Sequence, residues 1–299
     1  MSTLACAYEV TPAWPSCGVW ARQMAAEAAS ASFALVVAMG GDGLVCHVSG
    51  GIADTATALG VIPIGTGNVL ARSLGVPMRP RAAAELVAGE HALRAVPVVR
   101  LFDGHGRLLG QAVSQFGMGF DAVLAGEIER HRWAKRRLPN VLYAAISARI
   151  VLFERRQINA MRMHVRVAGR ANDAVTVMAQ VRYPYAYLGA LRIRLTSTPT
   201  SRCDVLLAER FGPGMFIRAL AQMAAGPRRL TRVSGIVILP DCAQLTIQAE
   251  RAVPCQTDGE LLGELSHVQV LISPDSLRVA VPSYTVAGGL FKNSNRPQP

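Results

Sequence analysis

Two glycine turns are the clearest candidates for chemistry in this sequence. Gly40-Gly41-Asp42-Gly43 follows the apolar run Phe33 to Met39, and Gly65-Thr66-Gly67-Asn68 follows the run Gly60 to Ile64. Glycines there let the backbone approach a ligand and aim its N–H groups at phosphate oxygens, and a helix starting at the turn presents its N-terminal end to the same anion. Asp42 cannot itself receive a phosphate, because like charges repel. It makes sense through Mg²⁺ or as the proton acceptor for an attacking hydroxyl. Thr66 and Asn68 offer neutral donors. Either turn alone can also be a plain strand–helix connection, the first with an Asp cap. Their joint value is positional, because consecutive parallel strands deliver both turns to one carboxyl edge, where ligands bind. Far along the chain, Asp258-Gly259 suits a type I′ hairpin, which does not exclude a catalytic carboxylate.

The elements that must position these turns read as α/β. The expected order is a short strand from Ala5 to Val10 ending at Thr11-Pro12, a helix from Val19 to Ala29, and the two apolar strands. Helices follow over Val45 to Ala53, Val69 to Leu74 and Arg81 to Ala88. Alternation of this kind predicts a doubly wound parallel sheet. The remainder switches to period two, at Met161 to Val167, Leu191 to Leu195, Leu245 to Ile247 and Val268 to Ile272, which predicts an antiparallel sandwich. Helices over Pro139 to Phe153 and Gly214 to Ala225 interrupt it. The expected organisation is an α/β domain over residues 1–95, an all-β antiparallel sandwich over 96–284 and a disordered tail over 285–299.

Composition narrows the partners. A 51% hydrophobic and 17% charged chain of 299 residues can bury a sizeable core. No apolar run approaches the ~20 residues of a membrane helix, and no secretory signal is visible, so a cytoplasmic, peripherally membrane-associated protein is expected. The six cysteines are scattered and read as reduced, mostly buried thiols. A net charge of +11, densest from Arg130 to Arg137 and again at Arg155, Arg156, Arg228, Arg229 and Arg232, suits a solvated face or an anionic membrane surface. Nucleic-acid motifs are lacking, so no nucleic acid is expected. The histidines show no metal spacing, and any metal ligands stay unknown. Exposed sheet edges leave room for a homodimer.

The stretch GGDGLVCHVSGG…ALGVIPIGTGNVLARSLGVP resembles the catalytic core of the diacylglycerol kinase-like lipid kinases, a group that includes bacterial diacylglycerol, sphingosine and ceramide kinases. Phe116-Gly117-Met118-Gly119-Phe120-Asp121-Ala122 is similar to the family's GFDA segment, and Thr257-Asp258-Gly259-Glu260 with Leu262-Gly263 to its DGE element. Order and spacing agree over roughly residues 5 to 282. The resemblance implies a two-domain fold in which ATP, Mg²⁺ and a lipid substrate meet in a cleft, with diacylglycerol the preferred acceptor. It places the nucleotide on Gly40, Gly41, Asp42, Gly43 and Leu44, on Gly65, Thr66, Gly67 and Asn68, and against Thr11. It gives the acid–base role to Asp258 and Glu260, with Asp121 orienting that carboxylate or the lipid hydroxyl. Elementary chemistry agrees, since an alcohol needs a carboxylate to take its proton while phosphoryl transfer otherwise needs positioning and Mg²⁺.

Three departures stand out. The family's opening strand and Asn-Pro-x-x-Gly-type loop are not found, so the N-terminal domain is expected to lack its first strand, its true start lying upstream or the protein being degenerate. Leu44 stands where bacterial members most often carry Thr. Tyr185 to Gly189 resembles a family segment, whereas Thr198 to Asp204 lacks the acidic pair of a structural Mg²⁺ site. Two alternatives follow: a lipid- or nucleotide-binding homologue that has lost catalysis, and NAD kinase, which shares the first turn but not the second or the GFDA segment.

Overall fold

The structure is a computed structural model that describes residues 2–181, 184–188, 191–196 and 202–283. Thr198 to Ser201, Gly189 and the tail 285–299 lie outside them. The N-terminal region contains helices α1 (Ser2–Ala5), α2 (Gly18–Ser30), α3 (Asp42–Ile52), α4 (Val69–Ser73) and α5 (Pro80–Ala88) around strands β1 (Leu35–Gly40) and β2 (Ala58–Pro63). β1 and β2 pair in parallel from Leu35↔Ala58 to Gly40↔Pro63, so both end at the same edge, and the two glycine turns leave from there. All six residues of β2 are buried, as its unbroken apolar run requires. α3 buries Val45, Val48, Ser49 and Ile52, the three-and-four spacing of a helix face on a sheet.

The expected strand from Ala5 to Val10 is not formed. Residues 2–5 are α1, and the chain then runs without regular structure to α2. A strand needs a ladder partner, and β1 pairs only with β2 among the described residues. The segment is held instead by Leu4, buried in the N-terminal core, and by the Tyr8 hydroxyl, which donates to Val87 O at 3.1 Å.

Antiparallel strands dominate the rest: β3 (Ala92–Phe102), β4 (Leu108–Ala112), β5 (Gln115–Met118), β6 (Met163–Val167), β7 (Arg170–Ala174), β8 (Thr176–Gln180), β9 (Ala186–Leu188), β10 (Leu191–Ile193), β11 (Cys203–Ala208), β12 (Ile236–Cys242), β13 (Gln244–Thr257) and β14 (Glu260–Val281). β6 shows why the period-two reading succeeds: Met163, Val165 and Val167 are buried while His164 and Arg166 are exposed. Helices α6 (Phe120–Arg130), α7 (Arg132–Arg137), α8 (Pro139–Arg149), α9 (Arg155–Asn159) and α10 (Pro213–Ala225) complete the region, with a π-helical turn at Ile150–Glu154.

β14 is the seam. Its first half pairs with β13, its second half from Gln269 to Val281 with β3, and Val279 meets Leu59 of β2 in parallel. One twelve-stranded sheet therefore runs from β1 to β12, with a core on the α/β side around Ile52, Leu59 and Leu70 and another among the antiparallel strands around Phe116, Val205 and Ile247. Phe116 is fully buried and lies opposite Thr257, at the end of β13 that leads into Asp258. Phe116→Ala is expected to cost roughly 3–5 kcal/mol, read as a lower urea midpoint. A loss under about 1 kcal/mol would contradict this packing.

Candidate active site

Asp42 is the first residue of α3 rather than a residue of the turn, and its carboxylate faces the second turn. Val69 N–H donates to Asp42 Oδ1 at 2.6 Å, joining turns 27 residues apart. The backbones come equally close. A Cβ on Gly65 would lie 2.5 Å from Gly41 Cα, so only glycine fits there. Asn68, with φ of 48°, accepts from Gly65 N–H at 3.1 Å and donates to Gly65 O at 2.7 Å. Its amide closes its own turn with the oxygen and one N–H, and the residue also lines the cavity.

Asp258 and Gly259 have φ of 49° and 87°, the left-handed pair of the expected hairpin between β13 and β14. The buried Asp258 carboxylate accepts from three backbone N–H groups, Val113 at 2.8 Å, Ser114 at 2.8 Å and Gln115 at 2.9 Å. Burial pushes its pKa up to about 6, against the opposing pull of those donors and of the Cys46 thiol. Asp258 thus fixes the hairpin, and the hairpin aims Glu260. The Glu260 carboxylate lies against Gly43, where a Cβ would sit 2.0 Å from its Oε1, and its Oε2 is 3.0 Å from His47 Nε2.

Behind them, Gln256 receives Gly259 N–H at 2.7 Å and donates to the buried Asp121 carboxylate at 2.5 Å. Burial raises the pKa of Asp121, with the Tyr185 hydroxyl and Gln256 opposing. The Tyr185 hydroxyl approaches this carboxyl without a hydrogen bond of ordinary geometry. Asp121 follows Phe120, whose ring packs on Phe211 at 4.6 Å and on Phe216 at 5.3 Å between centroids.

These groups line one cavity of ≈ 1630 Å³. Its polar part holds Gly41, Asp42, Gly43, Leu44, the turn from Gly65 to Asn68, Asp121, Asp258 and Glu260, and its apolar part includes the three phenylalanines, Met215, Leu220 and Met223. Tyr143 shows how concentrated the negative charge is: burial first, then Asp121 and Asp42, push its hydroxyl up to about 12. Thr11 is exposed and outside the lining, and Gly40 is buried at the end of β1, also outside it.

Residues 7–101 match the family model described as the diacylglycerol kinase catalytic domain. Over these residues the chain is similar to the diacylglycerol kinase-like lipid kinases. It is similar to the diacylglycerol kinase of Mycobacterium tuberculosis (strain ATCC 25618 / H37Rv), 33% identical over 121 residues, 40% of this chain and 38% of that one. It is also similar to the diacylglycerol kinase of Bacillus subtilis (strain 168), 44% identical over 72 residues, 23% and 24% of the two chains. The matched segments thus span well under half of these kinases. The fold agrees over a longer range. A diacylglycerol kinase structure from Bacillus anthracis str. Sterne superposes with a TM-score of 0.63 at 19% identity, covering 95% of this chain and 90% of that chain.

Two further residues take their place from the assembled site. His47 stands four residues beyond Gly43, one helical turn along the same face of α3. Arg72 lies on α4, four residues past Asn68, and stacks 4.1 Å over the Tyr187 ring. It is the one cationic side chain among the described residues that line the cavity, against five carboxylates. Among the described residues no group of three His, Cys, Asp or Glu side chains could hold a metal ion by itself.

The raised pKa of Asp258 has a definite sign. The folded state binds the extra proton between the ordinary value of 3.8 and about 6. The group therefore favours folding most below pH 4, and that contribution is lost as pH rises through 6. The stability of the wild type relative to Asp258→Asn should fall by up to about 3 kcal/mol from pH 4 to pH 7 in urea titrations. A difference that grows with pH would contradict this environment.

Proposed function

We propose that this chain is an ATP-dependent lipid kinase, with diacylglycerol as the preferred acceptor and phosphatidic acid as the product. The carrying observation is the single cavity that joins two glycine turns and an acidic hairpin to an apolar chamber. Its ≈ 1630 Å³ exceed the roughly 300–1,000 Å³ of a one-ligand site, leaving room for a nucleotide and acyl chains together. In this reading the turns at Gly41–Leu44 and Gly65–Gly67 hold the phosphates through backbone N–H groups. Mg²⁺, when bound, neutralises the phosphate oxygens, and Asp42 shares in holding it. Arg72 steadies charge on the transferring phosphoryl group. Glu260 takes the proton of the lipid hydroxyl, while Gln256 and Asp121 link the hairpin to the chamber that holds the chains. His47 fixes Glu260 until substrate displaces or shares it.

Loss of catalysis with retention of ligand binding is a second reading, favoured by one observation: Thr11 stands exposed outside the cavity, so the turns lack that contact. Transfer of labelled γ-phosphate from ATP·Mg²⁺ to diacylglycerol, ceramide and sphingosine in mixed micelles separates the two. The kinase reading expects label on diacylglycerol and a loss of roughly 10²–10⁴-fold in Glu260→Ala. Gly43→Ala should also lose activity while keeping its melting temperature, because the added Cβ meets only the movable end of Glu260. Folded protein that labels no lipid would overturn the kinase reading and leave the binding one.

A further inference from the structure

α8 is apolar on two sides. Tyr143, Ser147 and Val151 turn toward the cavity, as a core-facing stripe should. The other side, Leu138, Val141, Ala145, Ala148 and Leu152 at three-and-four spacing, faces solvent. Val141 is 61% exposed, Leu152 58%, and Phe153 on the following π turn 80%. Surface helices of water-exposed proteins carry polar residues there, and a contiguous apolar patch marks an interaction site. Trp133 on α7 and Ile217 on α10 extend the patch, 68% and 65% exposed. Ala148, Leu152 and Ile217 also line the cavity, so the apolar surface is the rim of the cavity mouth.

The patch is bordered by positive charge. Directly after Phe153, Arg155 and Arg156 share a second, shallow cavity with Arg162. All three are exposed, and none has an ion-pair partner among the described residues. Arg251 joins them by donating to Gln157 O on α9. Glu127 and Glu154 are neutralised by Arg130 and Arg149, and Glu250, whose N–H donates to Arg162 O at 3.1 Å, is an acid beside this group. An apolar stripe beside uncompensated arginines is complementary to a bilayer with acyl chains below and anionic head groups at its surface.

We infer that α8, the π turn and α10 form a docking face that seats the cavity mouth on an anionic bilayer, with Arg155, Arg156 and Arg162 on lipid phosphates. The orientation rests on the lipid-kinase reading, since an acyl chain then enters the chamber without crossing water. Docking itself is measured without ATP. The test is co-sedimentation of the full chain with phosphatidylcholine vesicles, with and without phosphatidylglycerol. The wild type should bind the phosphatidylglycerol vesicles. The double variants Val141→Glu with Phe153→Glu, and Arg155→Glu with Arg156→Glu, should each lose roughly tenfold in affinity. Neither pair lies in the proposed catalytic machinery, and circular dichroism checks that both fold. Loss of binding in folded variants supports the face whether or not any lipid is phosphorylated. Missing phosphate transfer with docking intact counts against the kinase reading alone. Wild-type binding by both variants, or no vesicle binding by the wild type, overturns the face. So does a wild-type dimer, seen by light scattering, that Val141→Glu with Phe153→Glu splits without changing vesicle binding.

Discussion

The site depends on the hydrogen bond from Val69 N–H to the Asp42 carboxylate. Glycine-rich turns are soft, and two of them 27 residues apart would adopt many relative positions if left alone. The parallel register of β1 and β2 brings their ends to one edge, and Asp42 then locks one turn onto the start of α4. A hydrogen bond to a charged acceptor contributes roughly 1.5–3 kcal/mol, enough to hold one arrangement against many. The close approach of Gly41 and Gly65 is possible because Gly65 carries no side chain.

The hairpin after β13 is built on the same principle with more donors. Three backbone N–H groups hold Asp258, and the cost of burying its charge appears as the raised pKa. That cost is the physical mark of a carboxylate used for position. Glu260, two residues on, is half exposed and reaches the first turn. Two carboxylates on one tight turn therefore have different surroundings: Asp258 is held by the backbone, and Glu260 is paired with His47. β14 begins at Glu260 and meets β2 at Val279, so one strand links the hairpin to the parallel pair.

Local pattern explains what was legible in the sequence. The buried parallel strands, the period-two segments such as β6, and the type I′ pair Asp258-Gly259 are set by neighbouring residues, and each forms where expected. What depends on long-range pairing was hidden. The segment from Ala5 to Val10 has strand-like composition, but no strand among the described residues pairs with it, so α1 and an irregular stretch form there. Nothing in GTGN says that the Asn68 amide turns back on Gly65. His47 and Arg72 escaped because their significance comes from Glu260 and from the cavity, one 213 residues away and the other assembled from the whole chain. Counting one helical turn on from each glycine turn would have found both.

The most direct measurement is nucleotide affinity by calorimetry without Mg²⁺, for the wild type, Asp42→Asn and Asp42→Ala, together with hydrogen exchange at the Val69 amide. Omitting the metal leaves only the carboxylate's hold on the second turn. The account predicts that Asp42→Ala exposes the Val69 amide to exchange and weakens ATP binding by about tenfold or more, whereas Asp42→Asn, which keeps an acceptor oxygen, preserves most of both. ATP binding unchanged in Asp42→Ala, with the Val69 amide freely exchanging, would contradict it.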